Sequence, residues 1–330
     1  MNAYAAGAVV TAAAAWRALG RAKRRCIAES DGDGDAALRD ARATVATMLR
    51  DGVVIADVDG ATRKLAAINR GGGAAFTAVL DFDRTLTTAE SASAHGVVAT
   101  ALPESFQKKE AALKAKYYPI ECDLGMPLDE KIPLMREWYC ANHDLTLAEG
   151  LERAALAAAV KEAARKKVFR LRDGVAELLD LLESLNGRAR ILSAGIEDVV
   201  RLAIAEMYDG ALPADLAITA NRMRWDGETL AGYSEPLIHM YNKKQNGGKL
   251  ENVLLVGDSL GDATMADGAD AGPTCVFKVG YLNRPKPDGA AVAKYAAAFD
   301  AVVLDEKDAS FNVPLAICAA ALHPCAAALR

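Results

Sequence analysis

The sequence predicts an α/β fold, a Rossmann-like parallel sheet core carrying an inserted α-helical cap domain after its first motif-bearing strand. Short, continuously apolar, β-prone runs recur at Phe76–Asp83, Ala189–Ser193, Val253–Asp258, Cys275–Val279 and Ala301–Leu304. Helical patterns such as Gly174–Leu185 and Ile196–Met207 separate them, as expected of βαβ units whose strands are covered on both faces. Residues 84–188 hold no convincing buried strand; Leu102–Tyr118, Pro127–Asn142 and Leu147–Lys167 read instead as helices.

Taken in order, Ser30–Asp35 (SDGDGD) is a Gly/Asp-rich linker. Its likeness to a calcium loop fails because the Gly-x5-Glu continuation is missing. Helical segments follow at Ala36–Leu49 and Gly60–Asn69, then the strand that stops on Asp81 and Asp83. Leu216–Tyr233 reads as two β-prone runs around Asp226-Gly227, a strong hairpin signal. The expected domains are residues 1–35 as an extension and linker, 36–86 with 170–330 as the core, and 87–169 as the helical cap. A helical insertion at that point would lie over the strand ends as a lid.

The 330 residues, 52% hydrophobic and 25% charged, suffice for such a core and insertion. A formal charge of −5 gives no global basic field for a nucleic-acid polymer or an acidic membrane surface. No apolar run reaches the roughly 20 residues of a membrane span. Six scattered cysteines without a CxxC pattern read as reduced thiols of a cytoplasmic protein. Arg17, Arg21, Lys23, Arg24 and Arg25 precede the first acid, Glu29. That composition suits an organellar transit peptide and equally a surface or disordered extension.

The chemistry lies at the strand ends, where ligands bind in open α/β sheets. Asp81 and Asp83 straddle a turn just past a buried strand and can face one cavity. Phosphoryl transfer from a monoester needs a nucleophile, an acid for the leaving oxygen, and cations to neutralise the phosphate. Asp81 suits the first role and Asp83 the second. Asp258 and Asp262, in Gly257–Asp262 (GDSLGD), can hold Mg2+, which takes a few carboxylates plus water. Ser193-Ala194-Gly195 offers a hydroxyl and backbone N–H groups near a helix start, suited to a phosphate. The cation is Lys243 or Lys244. Each piece alone is weak, and four in order at strand ends are specific.

DFDRTLT, Ser-Ala-Gly, the lysine and GDSLGD together resemble the four motifs of the haloacid dehalogenase superfamily. Lys116–Asp123 (KYYPIECD), Glu137–Tyr139 (EWY), Ile191–Asp198, Ile238–Lys243, Val256–Asp262, Met265–Gly268 and Lys278–Asn283 resemble, more closely, the cytosolic 5′-nucleotidase III (pyrimidine 5′-nucleotidase) family. That family includes a branch preferring 7-methylguanosine phosphate. The resemblance implies a magnesium-dependent nucleoside 5′-monophosphatase acting on CMP, UMP or 7-methyl-GMP through an aspartyl-phosphate. It implies Asp81 as nucleophile, Asp83 as acid/base, Ser193 and Ala194 in the phosphate cradle, and Lys243 as the cation. Asp81, the Asp83 backbone carbonyl and Asp258 become the metal ligands, with Asp262 beside them. Glu121 is matched to base recognition, joined by Asn142 where the family has serine. The expected partner is a small nucleotide, with no nucleic-acid polymer and no membrane, bound by a monomer. The competing readings are a phosphatase of another small monoester, such as phosphoserine, and an inactive nucleotide-binding protein.

Overall fold

A computed structural model describes residues 36–123, 125–184, 187–208, 215–244, 250–267, 273–306 and 308–322. The basic N-terminal stretch, the Ser30–Asp35 linker and Gly268 lie outside the described residues. Helices α1 (Ala36–Arg50) and α2 (Val58–Gly71) lead into strand β1 (Phe76–Leu80). The side chain of Asp57 caps α2 by accepting from the Gly60 N–H at 2.9 Å. Four helices follow, α3 (Ala94–Thr100), α4 (Glu104–Cys122), α5 (Leu128–Ala148) and α6 (Arg153–Arg165). Then come α7 (Val175–Ser184), β2 (Arg188–Ile196), α8 (Glu197–Met207) and β3 (Leu216–Asn221). A hairpin of β4 (Met223–Asp226) and β5 (Thr229–Tyr233) precedes β6 (Asn252–Gly257), β7 (Cys275–Leu282), α9 (Gly289–Ala298), β8 (Ala301–Leu304) and α10 (Asn312–Leu322).

The main sheet has the order β3-β2-β1-β6-β7-β8, and every pairing in it is parallel. All five residues of β1 and all six of β6 are buried, which is why these strands read as unbroken apolar runs. Ala78 and Leu80 point into the larger apolar cluster, which includes residues of α1, α2, α7 and α10; Val79, Val253 and Leu255 point into the smaller one, with α9. The hairpin reading needs correction over Leu216–Tyr233. Asp226-Gly227 does turn a hairpin, but Leu216–Asn221 is not an arm of it; that run is the sixth parallel strand, at the sheet edge beside β2.

From β1 the chain steps outward through β2 to β3, then returns to β6 and steps the other way. The direction therefore reverses between β1 and β6, and a crevice opens beyond their carboxyl ends. Asp81 follows one of these strands and Asp258 the other. Among the described residues, no helix is long and apolar enough to cross a membrane.

Arg172 ties three segments together behind this crevice. Its buried guanidinium donates to Asp305 Oδ2 (2.6 Å), Ala309 O (2.7 Å), Thr85 O (2.9 Å), Arg84 O (2.8 Å) and Asn283 Oδ1 (3.0 Å). Both side chains of the Arg172–Asp305 pair have no solvent exposure. Removing one partner would leave the other charge buried without compensation. Asp305→Ala is therefore expected to lower the unfolding free energy in urea by about 3–5 kcal/mol. An unchanged urea midpoint and slope would contradict this.

Candidate active site

The turn after β1 is built to present two carboxylates. Asp81 donates its backbone N–H to Val256 O at 2.9 Å, so it leaves the sheet in register with β6. Residues Phe82–Leu86 then make one wide helical turn, broken at Asp83 (φ −65°, ψ 123°) and Arg84 (φ 60°). A left-handed arginine costs about 1–2 kcal/mol. The surroundings hold it there. Its N–H donates to Thr87 Oγ1 (2.7 Å), and its carbonyl accepts from Arg172 and from Asn283 Nδ2 (each 2.8 Å).

Asp81 is 3% exposed. Its Oδ1 accepts from Lys243 Nζ at 2.6 Å and its Oδ2 from Thr85 Oγ1 at 2.9 Å. Lys243, also buried, pairs with Asp262 Oδ1 as well. Burial alone would lower the lysine pKa, but Asp262 and Asp81 override it, and the net shift is upward. Lys243 is thus a fixed cation, and of Lys243 and Lys244 it is the one held against Asp81. Asp262 Oδ2 accepts from the backbone N–H groups of Asp258 (3.1 Å) and Ser259 (2.9 Å), closing the loop on itself. Gly261 in this loop lies against the Met240 carbonyl, where a Cβ would sit 2.1 Å from the oxygen. The loop therefore packs tightly against the segment that delivers Lys243.

One ligand atom from each of Asp81, Asp258 and Asp262 lies within 4.8 Å of the others. Burial, then Lys243 in the opposite sense and Asp262, leave Asp81 raised to about 6. Burial and the neighbouring Asp81 and Asp262 raise Asp258 well above the usual carboxylate range. Such crowded, desolvated carboxylates are a fitting donor set for a hard divalent cation. Asn283 Nδ2 bridges Asp258 Oδ2 (3.2 Å) and Arg84 O, coupling the two aspartate loops. The Asp83 carboxylate is outside the three-carboxylate group. Its Oδ1 accepts from the Ala94 N–H at 2.9 Å, and burial, then Asp81, raises it to about 7.

Ser193, Ala194 and Gly195 line the same cavity, which measures about 140 Å³. Ser193 Oγ accepts from the Gly195 N–H at 3.0 Å, leaving its own proton to donate. A Cβ on Gly195 would lie 2.8 Å from Ala94 Cβ and 3.1 Å from Asp83 Oδ2. These three residues belong to the end of β2, and the helix begins only at Glu197. The Asp198 side chain in its first turn is engaged by Met223 N and Trp225 Nε1.

The opposite wall comes from α4 and α5. Glu121 and Asn142 both face the cavity, as do Trp138 and Tyr139, which the sequence left equally open as core. Arg84, His95, Lys114 and Tyr118 line it as well and drew no role from the sequence. Two of them had a signal: Arg84 lies inside DFDRTLT and Tyr118 inside KYYPIECD. His95 lies in the small, polar stretch after Thr87, whose divergence hid it.

His95 Nε2 is 3.3 Å from His143 Nε2, and His143 stacks on Tyr233 with centroids 3.8 Å apart. Burial lowers His95 to about 4; burial and then His95 lower His143 to about 3. Both values lie below the unfolded value of about 6.5, so the unfolded chain binds more protons in between. This contribution to stability is present above about pH 6.5 and is lost as pH falls toward 4. His143→Gln is expected to flatten the acid limb of the unfolding free energy between about pH 6.5 and 4. Identical limbs in the two chains would contradict the assignment.

A family model described as pyrimidine 5′-nucleotidase (UMPH-1) matches residues 84–322, a span that begins just past Asp81 and Asp83. A 7-methylguanosine phosphate-specific 5′-nucleotidase of Homo sapiens is 30% identical over 287 residues, covering 82% of this chain and 92% of the relative. The 7-methylguanosine phosphate-specific 5′-nucleotidase A of Xenopus laevis is 32% identical over 252 residues, covering 71% and 84%. Among solved structures, cytosolic 5′-nucleotidase IIIB bound to cytidine superposes with a TM-score of 0.71 at 24% identity, covering 84% of this chain and 96% of that one. That likeness speaks to the fold, a parallel α/β core with added helices. On the family match and the level of identity to its relatives, the chain belongs to the pyrimidine 5′-nucleotidase family of phosphoric monoester hydrolases.

Proposed function

We propose that the chain hydrolyses nucleoside 5′-monophosphates to nucleoside and phosphate through a phosphorylated Asp81. The observation that carries this reading is the Asp81 carboxylate itself. It is buried at the crevice, held by Lys243 and Thr85, and set beside Asp258 and Asp262 on a cavity that also contains Ser193 and Asp83.

In the first step an Asp81 carboxylate oxygen attacks phosphorus, and the bond from phosphorus to the 5′ oxygen breaks. Asp83 gives its proton to the leaving oxygen. Its value near 7 keeps a substantial protonated fraction at neutral pH. In the second step water attacks phosphorus and gives a proton to Asp83. The acyl phosphate bond then breaks, releasing phosphate and restoring Asp81. Ser193 Oγ–H and the backbone N–H of Ala194 donate to the phosphate oxygens, and Lys243 offsets their charge. Asp81, Asp258 and the Asp83 backbone carbonyl would hold Mg2+, with Asp262 anchoring the loop beside them. Bound there, such an ion would neutralise phosphate charge that Lys243 alone leaves uncompensated.

Glu121 is assigned to the base, as an acceptor for an exocyclic amino or ring N–H group, with Asn142 beside it. Burial raises the Glu121 pKa while Arg84 and Lys131 oppose the shift, as suits an acceptor withdrawn from water. The helices from residue 87 to 169 act as the cap that closes over substrate. The name of a Caenorhabditis elegans relative, putative cytosolic 5′-nucleotidase 3, 31% identical over 79% of this chain, supports a cytoplasmic location.

Asp81→Asn is expected to remove phosphate release by at least about a thousandfold, because no other group replaces the nucleophile. Chelation of divalent ions should abolish turnover, and added Mg2+ should restore it. Phosphate release from CMP, UMP, 7-methyl-GMP, AMP and phosphoserine tests the substrate class. Nucleotides should lead, and a preference for phosphoserine would overturn the nucleotidase reading.

A further inference from the structure

The part of the cavity around Tyr118 is already balanced in charge. Its carboxylates are Glu121 and Glu110, and its cations are Arg84 and Lys114. Both cations lie over the ring of Tyr118, Arg84 Cζ at 5.5 Å and Lys114 Nζ at 5.8 Å from the centroid. Arg84 is the leading charge opposing burial at Glu121, and Lys114 the one at Glu110. The backbone from which Arg84 projects is fixed, since Thr87, Arg172 and Asn283 hold its left-handed conformation. The Arg84 guanidinium lines the same cavity as Asp258, Glu121 and Asp83, and their negative charge offsets its burial.

A base entering beside Glu121 and Tyr118 therefore meets a protein cation already there. A neutral ring can give an amino N–H to the carboxylate and a carbonyl oxygen to the guanidinium; cytosine carries both. A ring with a fixed positive charge gains from Glu121 only by displacing the compensation Arg84 provides, and it is repelled by Arg84 itself. We propose that Arg84 is a specificity residue that selects nucleotides with an uncharged base and disfavours cationic 7-methylguanine. This holds against the 7-methylguanosine in the names of the relatives above, and it rests on the nucleotidase reading.

The test is kcat/KM for CMP, UMP, GMP and 7-methyl-GMP in Mg2+, on the unsubstituted chain, Arg84→Met and Arg84→Lys. Inhibition by cytidine and by 7-methylguanosine is measured in parallel. The unsubstituted chain should favour CMP over 7-methyl-GMP. Arg84→Met should move that ratio toward 7-methyl-GMP by about tenfold or more, mainly in KM and inhibitor affinity, while Arg84→Lys keeps most of the preference. If Arg84→Met does not fold, Lys114→Met, which removes the other cation over Tyr118, should move the ratio in the same direction. A preference for 7-methyl-GMP in the unsubstituted chain, or a ratio unmoved by Arg84→Met, would overturn the proposal. Turnover of a simple aryl phosphate with none of the four nucleotides would instead overturn the nucleotidase reading, and this proposal with it.

Discussion

Burial of like charge is the constraint on which the rest of the site depends. Asp81, Asp258 and Asp262 bring carboxylate oxygens within 4.8 Å of one another, and Asp83 adds a fourth, half-buried acid beside Asp81. Desolvation and mutual repulsion would protonate or separate such a group. Lys243 prevents this by pairing with Asp81 and Asp262 at once. Backbone N–H groups take the other oxygen of Asp262, and Asn283 takes one oxygen of Asp258. Even so, the negative charge exceeds the positive charge fixed around it. The surplus suits a divalent cation, and cation and lysine together suit a phosphate.

The fold serves that balance. The sheet reverses direction between β1 and β6, which sets the Asp81 and Asp258 loops side by side. Behind them Arg172 bonds to the carbonyls of Arg84 and Thr85, to Asn283, and to the buried Asp305. The left-handed Arg84 is a consequence of this bracing. The same backbone turn that aims Asp81 and Asp83 also projects a guanidinium toward Tyr118. Catalytic geometry and base recognition are thereby linked through one residue.

Much of this was legible in the sequence. Each apolar run that stopped on Asp81, Ser193 or Asp258 became a parallel strand, because strands buried on both faces need continuous apolar residues. The short motifs marked the loops at their ends. Leu216–Asn221 was misread because an edge strand alternates, and its neighbour carried the stronger Asp-Gly turn. Arg172 stayed silent, and Asn283 appeared only as the end of a family stretch with no role, since long-range hydrogen bonds leave no local pattern. His95 and His143 are far apart in the chain, and only the packing of α3 on the cap wall brings them together. Arg84 was visible as a letter within a motif, but its direction depends on a φ of 60° that no periodicity encodes.

The most direct test of the account is where the phosphoryl group goes. Enzyme mixed with CMP and Mg2+ is quenched in acid within a turnover, digested, and mapped by mass spectrometry. The expected result is phosphate on Asp81 alone, gained and lost at rates compatible with turnover and absent from Asp81→Asn. Steady turnover with no phosphorylated peptide at any quench time, or with phosphate on another side chain, would contradict it.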